Sequence, residues 1–137
     1  MKGKVVVITG SNSGIGRITA TEIAKMGAQV VMVCRNEQKA KAVQEDINAL
    51  TGLGNCDLFI CDISSHASIK NFAKEIRMRY NHIDVLINNA GVIVGEREIS
   101  KDGFEMMFAT NHISYFLVTH YLLDLLKASE NARIVNV

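Results

Sequence analysis

The chain has 137 residues, of which 48% are hydrophobic and 21% charged, with a formal net charge of +1. That is room for one compact domain, residues 1–137, with a real core, and it excludes a disordered chain. A charge so close to zero leaves no electrostatic reason to expect nucleic acid or an acidic membrane as a partner.

In chain order, the first apolar run is Lys4 to Thr9, rich in valine. The others are Gln29 to Val33, Asp57 to Cys61, Asp84 to Asn88 and Arg133 to Val137. Near-continuous apolar runs of this length fit parallel strands covered on both faces. The segments between them carry helical spacing. Gly14 to Gly27 shows a face of small residues, Gly16, Ala20, Ile23, Ala24 and Gly27. Ala40, Val43, Ile47 and Leu50 form a second stripe, and Ile69, Phe72, Ala73, Ile76 and Tyr80 a third. A long helix is expected from about Asp102 to Lys127, with Phe104, Phe108, Asn111, Tyr115, Val118, Leu122 and Leu125 along one face. Strand and helix alternate throughout, so the expected fold is α/β, a doubly wound parallel sheet of order 3-2-1-4-5. Its switch point lies between the first and fourth strands, where ligands bind outside the strand ends.

Cys34, Cys56 and Cys61 are odd in number and contain no Cys-x-x-Cys pair. They match no zinc spacing with His66, His82, His112 or His120, so buried free thiols are expected and no metal site. No apolar run reaches membrane-spanning length and no signal peptide precedes Val5. The expectation is a cytoplasmic protein with no membrane anchor in this segment.

The first strand runs into Thr9-Gly10-Ser11-Asn12-Ser13-Gly14-Ile15-Gly16. Gly10 permits a sharp turn off the strand, Gly14 leaves room for a pyrophosphate against the backbone, and Gly16 lets the helix lie close on the sheet. The helix start offers free N–H groups and a positive dipole end to phosphates. The spacing G-x-x-x-G-x-G differs from G-x-G-x-x-G, and no Gly-Lys-Ser/Thr of a P-loop follows. A purely structural glycine turn is the alternative.

Farther on, Ile87-Asn88-Asn89-Ala90-Gly91 closes the fourth strand, Asp62 follows the third, and Thr110-Asn111-His112 lies in the long helix. With the glycine loop and Arg133-Ile134-Val135-Asn136-Val137, these motifs resemble the short-chain dehydrogenase/reductase family over essentially the whole chain. Val33-Cys34-Arg35-Asn36, Asp102-Gly103-Phe104-Glu105 and Leu122 to Leu126 look most like its retinol-dehydrogenase-like branch. The resemblance implies a Rossmann-type fold and an oxidoreductase moving a hydride between a nicotinamide cofactor and a carbonyl or alcohol carbon. It implies a pyrophosphate loop shaped by Gly10, Gly14 and Gly16 and lined by Ser11, Asn12, Ser13 and Ile15. Asp62 and Ile63 would lie beside the adenine, Asn89, Ala90 and Gly91 would border the cofactor, and Asn111 would join the catalytic proton relay. Each has a plainer alternative. Asp62 suits a turn or helix cap, and Asn88 and Asn89 suit turns. Asn111 suits a core amide bonded to backbone, since burying it unpartnered costs about 1–3 kcal/mol.

The resemblance also places cofactor choice at the end of the second strand. An NAD-preferring chain carries an acid there, about 20 residues past the glycine loop. Here stand Cys34 and then Arg35, with Asn36 beside them. A thiol does not repel a 2′-phosphate and a guanidinium pairs with it bidentately. NADP is therefore expected, with NAD as second choice, Glu37 being the residue that would bind ribose in that case. The expected substrate is a small-molecule alcohol or ketone of lipophilic type. The long helix is apolar on more than one face through Met106, Ile113, Leu117 and Tyr121, and with the family's habit this implies a homo-oligomer in the complete protein. In the family a catalytic serine follows the fifth strand and a Tyr-x-x-x-Lys motif the next helix. Neither has a counterpart among these residues, and Thr119 and Leu125 stand four positions after Tyr115 and Tyr121. The expectation is a chain truncated before that segment and inactive by itself. The competing function classes are a catalytically silent dinucleotide-binding module and a non-redox nucleotide binder.

Overall fold

Alternation within each strand decides which layer it feeds. The computed structural model describes residues 1–137. In β1 (Val5–Thr9) and β2 (Gln29–Cys34), Val5, Val7, Val31 and Val33 point to one face, and Val6, Ile8, Val30, Met32 and Cys34 to the other. With both faces apolar, each strand must be covered twice. The first face packs on α3 (His66–Arg77) and α5 (Ser114–Lys127) through Ile69, Phe72, Ile76, Val118 and Leu122. The second packs on α1 (Gly14–Lys25) and α2 (Glu37–Thr51) through Ala20, Ala24, Ala40, Val43 and Ile47. β3 (Cys56–Ile60), β4 (Val85–Asn88) and β5 (Arg133–Asn136) complete a parallel sheet of order β3-β2-β1-β4-β5. This is the Rossmann-type doubly wound arrangement expected from the sequence. No helix is long and apolar enough to cross a membrane. All three cysteines are buried and free.

Four expectations need correction. The long helix starts at Met106, after Glu105 accepts from the Met107 and Phe108 N–H groups at 2.9 and 2.8 Å. Asp102 instead caps α3, taking the His66 N–H at 2.6 Å, and Gly103 turns with φ +85°. Secondly, the helix contains a π-helical turn, Ala109–Ile113, between α4 (Met106–Phe108) and α5. The wider turn shifts the inward stripe by one position. Thr110, Ser114, Val118 and Leu122 are buried, whereas Phe104, Phe108 and Asn111 are exposed. Leu117 and Tyr121 pack against the core, so the apolar outer face is made by Phe108, Phe116 and Leu123 instead. Thirdly, Leu50 is exposed, because it lies ~60° round the helix from Ile47, at the margin of the stripe. Fourthly, β5 is not covered on both faces: all its residues are exposed, since no helix packs over its outer side.

The N-terminal end of the sheet is tied by one carboxylate. Asp84 is 4% exposed and accepts from Val5 N–H at 2.8 Å, Lys4 Nζ at 3.0 Å and Ser129 Oγ at 2.8 Å. Burial acts to raise its pKa, but the Val5 N–H, the Ser129 hydroxyl and the Lys4 ammonium outweigh it and hold it at about 2, against an ordinary 3.8. A depressed carboxyl contributes stability above its unfolded pKa and loses it as pH falls through the folded one. The contribution is about 2 kcal/mol at neutral pH and disappears between roughly pH 4 and pH 2. Asp84→Asn should therefore lower urea stability by about this amount at pH 7 and flatten its dependence on acid. An unchanged acid limb in the variant would remove Asp84 from this role.

Candidate nucleotide-binding site

A cleft of about 700 Å³ opens at the C-terminal ends of the strands, across the switch point between β1 and β4. Three connections build it. The loop from β1 to α1 contributes Gly10, Asn12, Ser13, Gly14, Ile15 and Gly16. Gly10 turns off the strand with φ +67°, and a methyl in place of its hydrogen would lie 2.8 Å from the Cα and Cβ of Ala90. Gly16 is equally required by space, since a Cβ there would strike the Gly10 carbonyl and the Asn89 amide. Gly14 is different. Its φ is +52°, but nothing lies within 4 Å of where a side chain would point. The backbone at Gly14 therefore faces open cleft. Ser11 departs from expectation. It is fully buried behind the loop, its hydroxyl donating to the Ile8 carbonyl at 3.1 Å and lying 3.5 Å from Cys34 Sγ, and it does not line the cleft.

The end of β2 contributes Val33, Cys34, Arg35 and Asn36, and the first turn of α2 adds Lys39. Burial pushes the Cys34 thiol up more than its hydrogen bonds to Ser11 and Asn12 lower it, so it stays neutral. Asn36 lines the cleft and also caps α2, its Oδ1 accepting from the Lys39 N–H at 2.9 Å. Glu37 does not line the cleft. It pairs with Lys41 at 2.7 Å along the helix, which lowers the carboxyl and raises the amine.

The end of β3 contributes Cys61, Asp62 and Ile63. Asp62 is the one acidic residue of the lining, and it is also the turn residue that the sequence allowed. Its Oδ1 accepts from Ser64 N–H at 3.1 Å and Ser64 Oγ at 2.7 Å.

Beyond β4, Asn89, Ala90, Gly91 and Val92 form the remaining wall. Thr9 holds them there: its hydroxyl accepts the Asn89 and Ala90 N–H groups, both at 3.0 Å, and its carbonyl accepts Asn89 Nδ2 at 2.9 Å. Asn88 turns inward, donating to Asn136 Oδ1 at 2.9 Å and Thr119 Oγ1 at 3.3 Å. Asn111 lies outside the lining. The π-helical turn brings its amide to the loop after β4, where Oδ1 accepts the Val92 N–H at 2.8 Å and Nδ2 donates to the Val92 carbonyl at 2.9 Å. It is exposed rather than the buried break in an apolar stripe that the spacing suggested. Its side chain braces the Gly91–Val92 segment, and its neighbour Thr110 reaches the cleft.

Sequence reasoning missed Lys39, Thr110, Cys61, Val33 and Val92 in this lining, and Thr9 behind it. Lys39 had a signal: it sits on the first turn of a helix that starts two residues after Arg35.

Residues 4–137 match the family described as short chain dehydrogenase. Over 137 residues the chain is 45% identical to retinol dehydrogenase 11 of Homo sapiens, covering 100% of this chain and 43% of that one. The chain spans less than half the length of the curated relatives it matches. A crystal structure of the short chain dehydrogenase from Shigella flexneri superposes with a TM-score of 0.85 at 28% identity, over 98% of this chain and 54% of that one. A metagenomic short-chain oxidoreductase in complex with NADP superposes with a TM-score of 0.84 at 29% identity, over 97% and 61%. The glycine loop, the Asn89–Gly91 wall and the strand order thus sit on a sheet shared with solved short chain oxidoreductases, and the chain belongs to the short chain dehydrogenase family.

Proposed function

We propose that residues 1–137 form, as one domain, the cofactor half of an oxidoreductase that uses NADP(H). The observation that carries this reading is the charge at the far end of the cleft. Arg35 and Lys39 line it, no acid stands at the end of β2, and Glu37 is held away by Lys41. The residues fit the cofactor. Open backbone at Gly14 suits a pyrophosphate, and Gly10 and Gly16 keep the loop tight against Ala90 and Asn89. Asp62 and Ile63 would border the adenine, and Asn89, Ala90 and Gly91 the nicotinamide side. When bound, the cofactor supplies or accepts a hydride. The chain's part is to bind and orient it, and Asn111 keeps the neighbouring loop in place.

The substrate reading is a lipophilic alcohol or ketone, supported by the names of the retinol dehydrogenases to which the chain is similar. Phe108, Phe116 and Leu123 on the outer face of the long helix support a homo-oligomer of the complete protein. Three buried cysteines without a disulfide support a reducing, cytoplasmic setting.

Arg35→Asp should weaken NADPH far more than NADH, because only the former carries the phosphate that the guanidinium pairs with. Fluorescence titration of both nucleotides reads this directly. Equal losses would overturn the NADP preference.

A further inference from the structure

We propose that the outer face of the long helix is a proton-controlled docking surface for a second copy of this chain, held while His112 and His120 are neutral and released in acid. The inference rests on the homo-oligomer reading above and adds to it the geometry of the surface and its regulation. Phe108, His112, Phe116 and His120 stand four apart and are all exposed. Four residues of an α-helix advance by about 400°, so such a row should drift round the helix by about 40° a step. The π-helical turn at Ala109–Ile113 winds less per residue and offsets that drift, which keeps the row on one face. Within the row the rings stack in pairs, Phe108 on His112 at 5.2 Å and Phe116 on His120 at 5.9 Å, each with planes 13° apart.

Two properties of the row point to a second copy. It is self-complementary. Turned end for end about Ser114, it sets each phenylalanine against a histidine of the other copy, Phe108 against His120 and Phe116 against His112. It is also uncharged: Met106 to Leu123 contains no Lys, Arg, Asp or Glu, the longest such run in the chain. The same run on the partner helix offers no carboxylate to an imidazolium. Contact with an aromatic face favours the charged ring, but by less than burying an unpaired charge costs. Association therefore selects neutral imidazoles. It is strongest above their titration range and weakens as pH falls through it. The neighbouring charges are engaged elsewhere. At the His120 end, Tyr121 lies edge-on at 5.3 Å with its hydroxyl 2.6 Å from His66 of α3, and Arg77 of α3 pairs with Asp124 at 2.8 Å. At the His112 end, Glu105 accepts from the Met107 and Phe108 N–H groups with Arg97 near it, and Tyr115 bonds the Val137 carbonyl. β4 presents only the Asn88 amide, to Thr119.

The test follows sedimentation velocity of the full chain over a range of concentrations at about pH 8 and about pH 5.5, with circular dichroism to confirm the fold at both. The dissociation constant should rise about 100-fold on acidification, about tenfold from each histidine position. A variant carrying both His112→Gln and His120→Gln should associate equally at the two pH values. Phe116→Glu, at a residue 68% exposed, should be monomeric at both. Self-association that does not change with pH would overturn the proposal, as would a pH effect that survives in the double glutamine variant or a Phe116→Glu chain that still pairs. A parent chain that is monomeric at both pH values would remove the homo-oligomer reading itself, and this inference with it.

Discussion

Gly10→Ala should damage the fold, and Gly14→Ala should leave the fold standing but remove nucleotide binding. Both glycines have positive φ, which costs an L-residue about 1 kcal/mol or slightly more. At Gly10 the new methyl also meets Ala90 at 2.8 Å, between two strand ends already tied through Thr9 and Asn89. Nothing there is the free end of a flexible side chain, so overpacking adds a cost of the same order. The expected loss in urea stability is about 2 kcal/mol for Gly10→Ala and about 1 kcal/mol for Gly14→Ala. Binding reverses the order. The Gly14 methyl enters open cleft where a phosphate must approach the backbone, and losing such contacts weakens NADPH roughly tenfold or more. If Gly14→Ala binds NADPH as the parent does, the pyrophosphate lies elsewhere.

Residues 1–137 as a separate polypeptide should show no oxidation or reduction of any alcohol or carbonyl. Reducing a carbonyl builds negative charge on its oxygen, and a placed acid must deliver a proton at that moment. No tyrosine or histidine lines the cleft. Tyr80 donates to Asp57, Tyr115 bonds the Val137 carbonyl, and Tyr121 lies 2.6 Å from His66. Asn111 has both ends of its amide on Val92, and an amide does not titrate in a useful range. Lacking a general acid typically costs about 10²–10⁴-fold in rate, before poor orientation is added. The measurement follows reduced-nicotinamide absorbance across a broad panel of substrates. Turnover above a buffer blank, abolished by Asn111→Ala, would put the catalytic group where this account has only a brace.

The strands were legible because each side of the sheet demands its own apolar residue. Val5, Val6, Val7 and Ile8 can satisfy that demand only in a doubly covered strand. The glycine loop was legible for a related reason: Gly10 and Gly16 stand where no side chain fits. The course of the long helix was not. A π-helical turn at Ala109–Ile113 leaves no mark in a 3.6-residue pattern, so Phe108 and Asn111 were aligned with a face they do not share, and Phe104 lies before the helix begins. Ser11 was misplaced because the resemblance puts it in the loop lining, while the chain turn points its hydroxyl at the Ile8 carbonyl. Lys39 was overlooked because a lysine on an amphipathic helix reads as solvated surface. What distinguishes it is its place in the cleft lining, on the side of the helix opposite the Glu37–Lys41 pair.

The cleft between the glycine loop and the Asn89–Gly91 wall should hold a 2′-phosphorylated nicotinamide dinucleotide. A crystal structure of the NADPH complex tests it most directly. The pyrophosphate should lie against the backbone at Gly14 and the 2′-phosphate between Arg35 and Lys39. A nucleotide lying outside this cleft, or one whose 2′-phosphate touches neither cation, would contradict it.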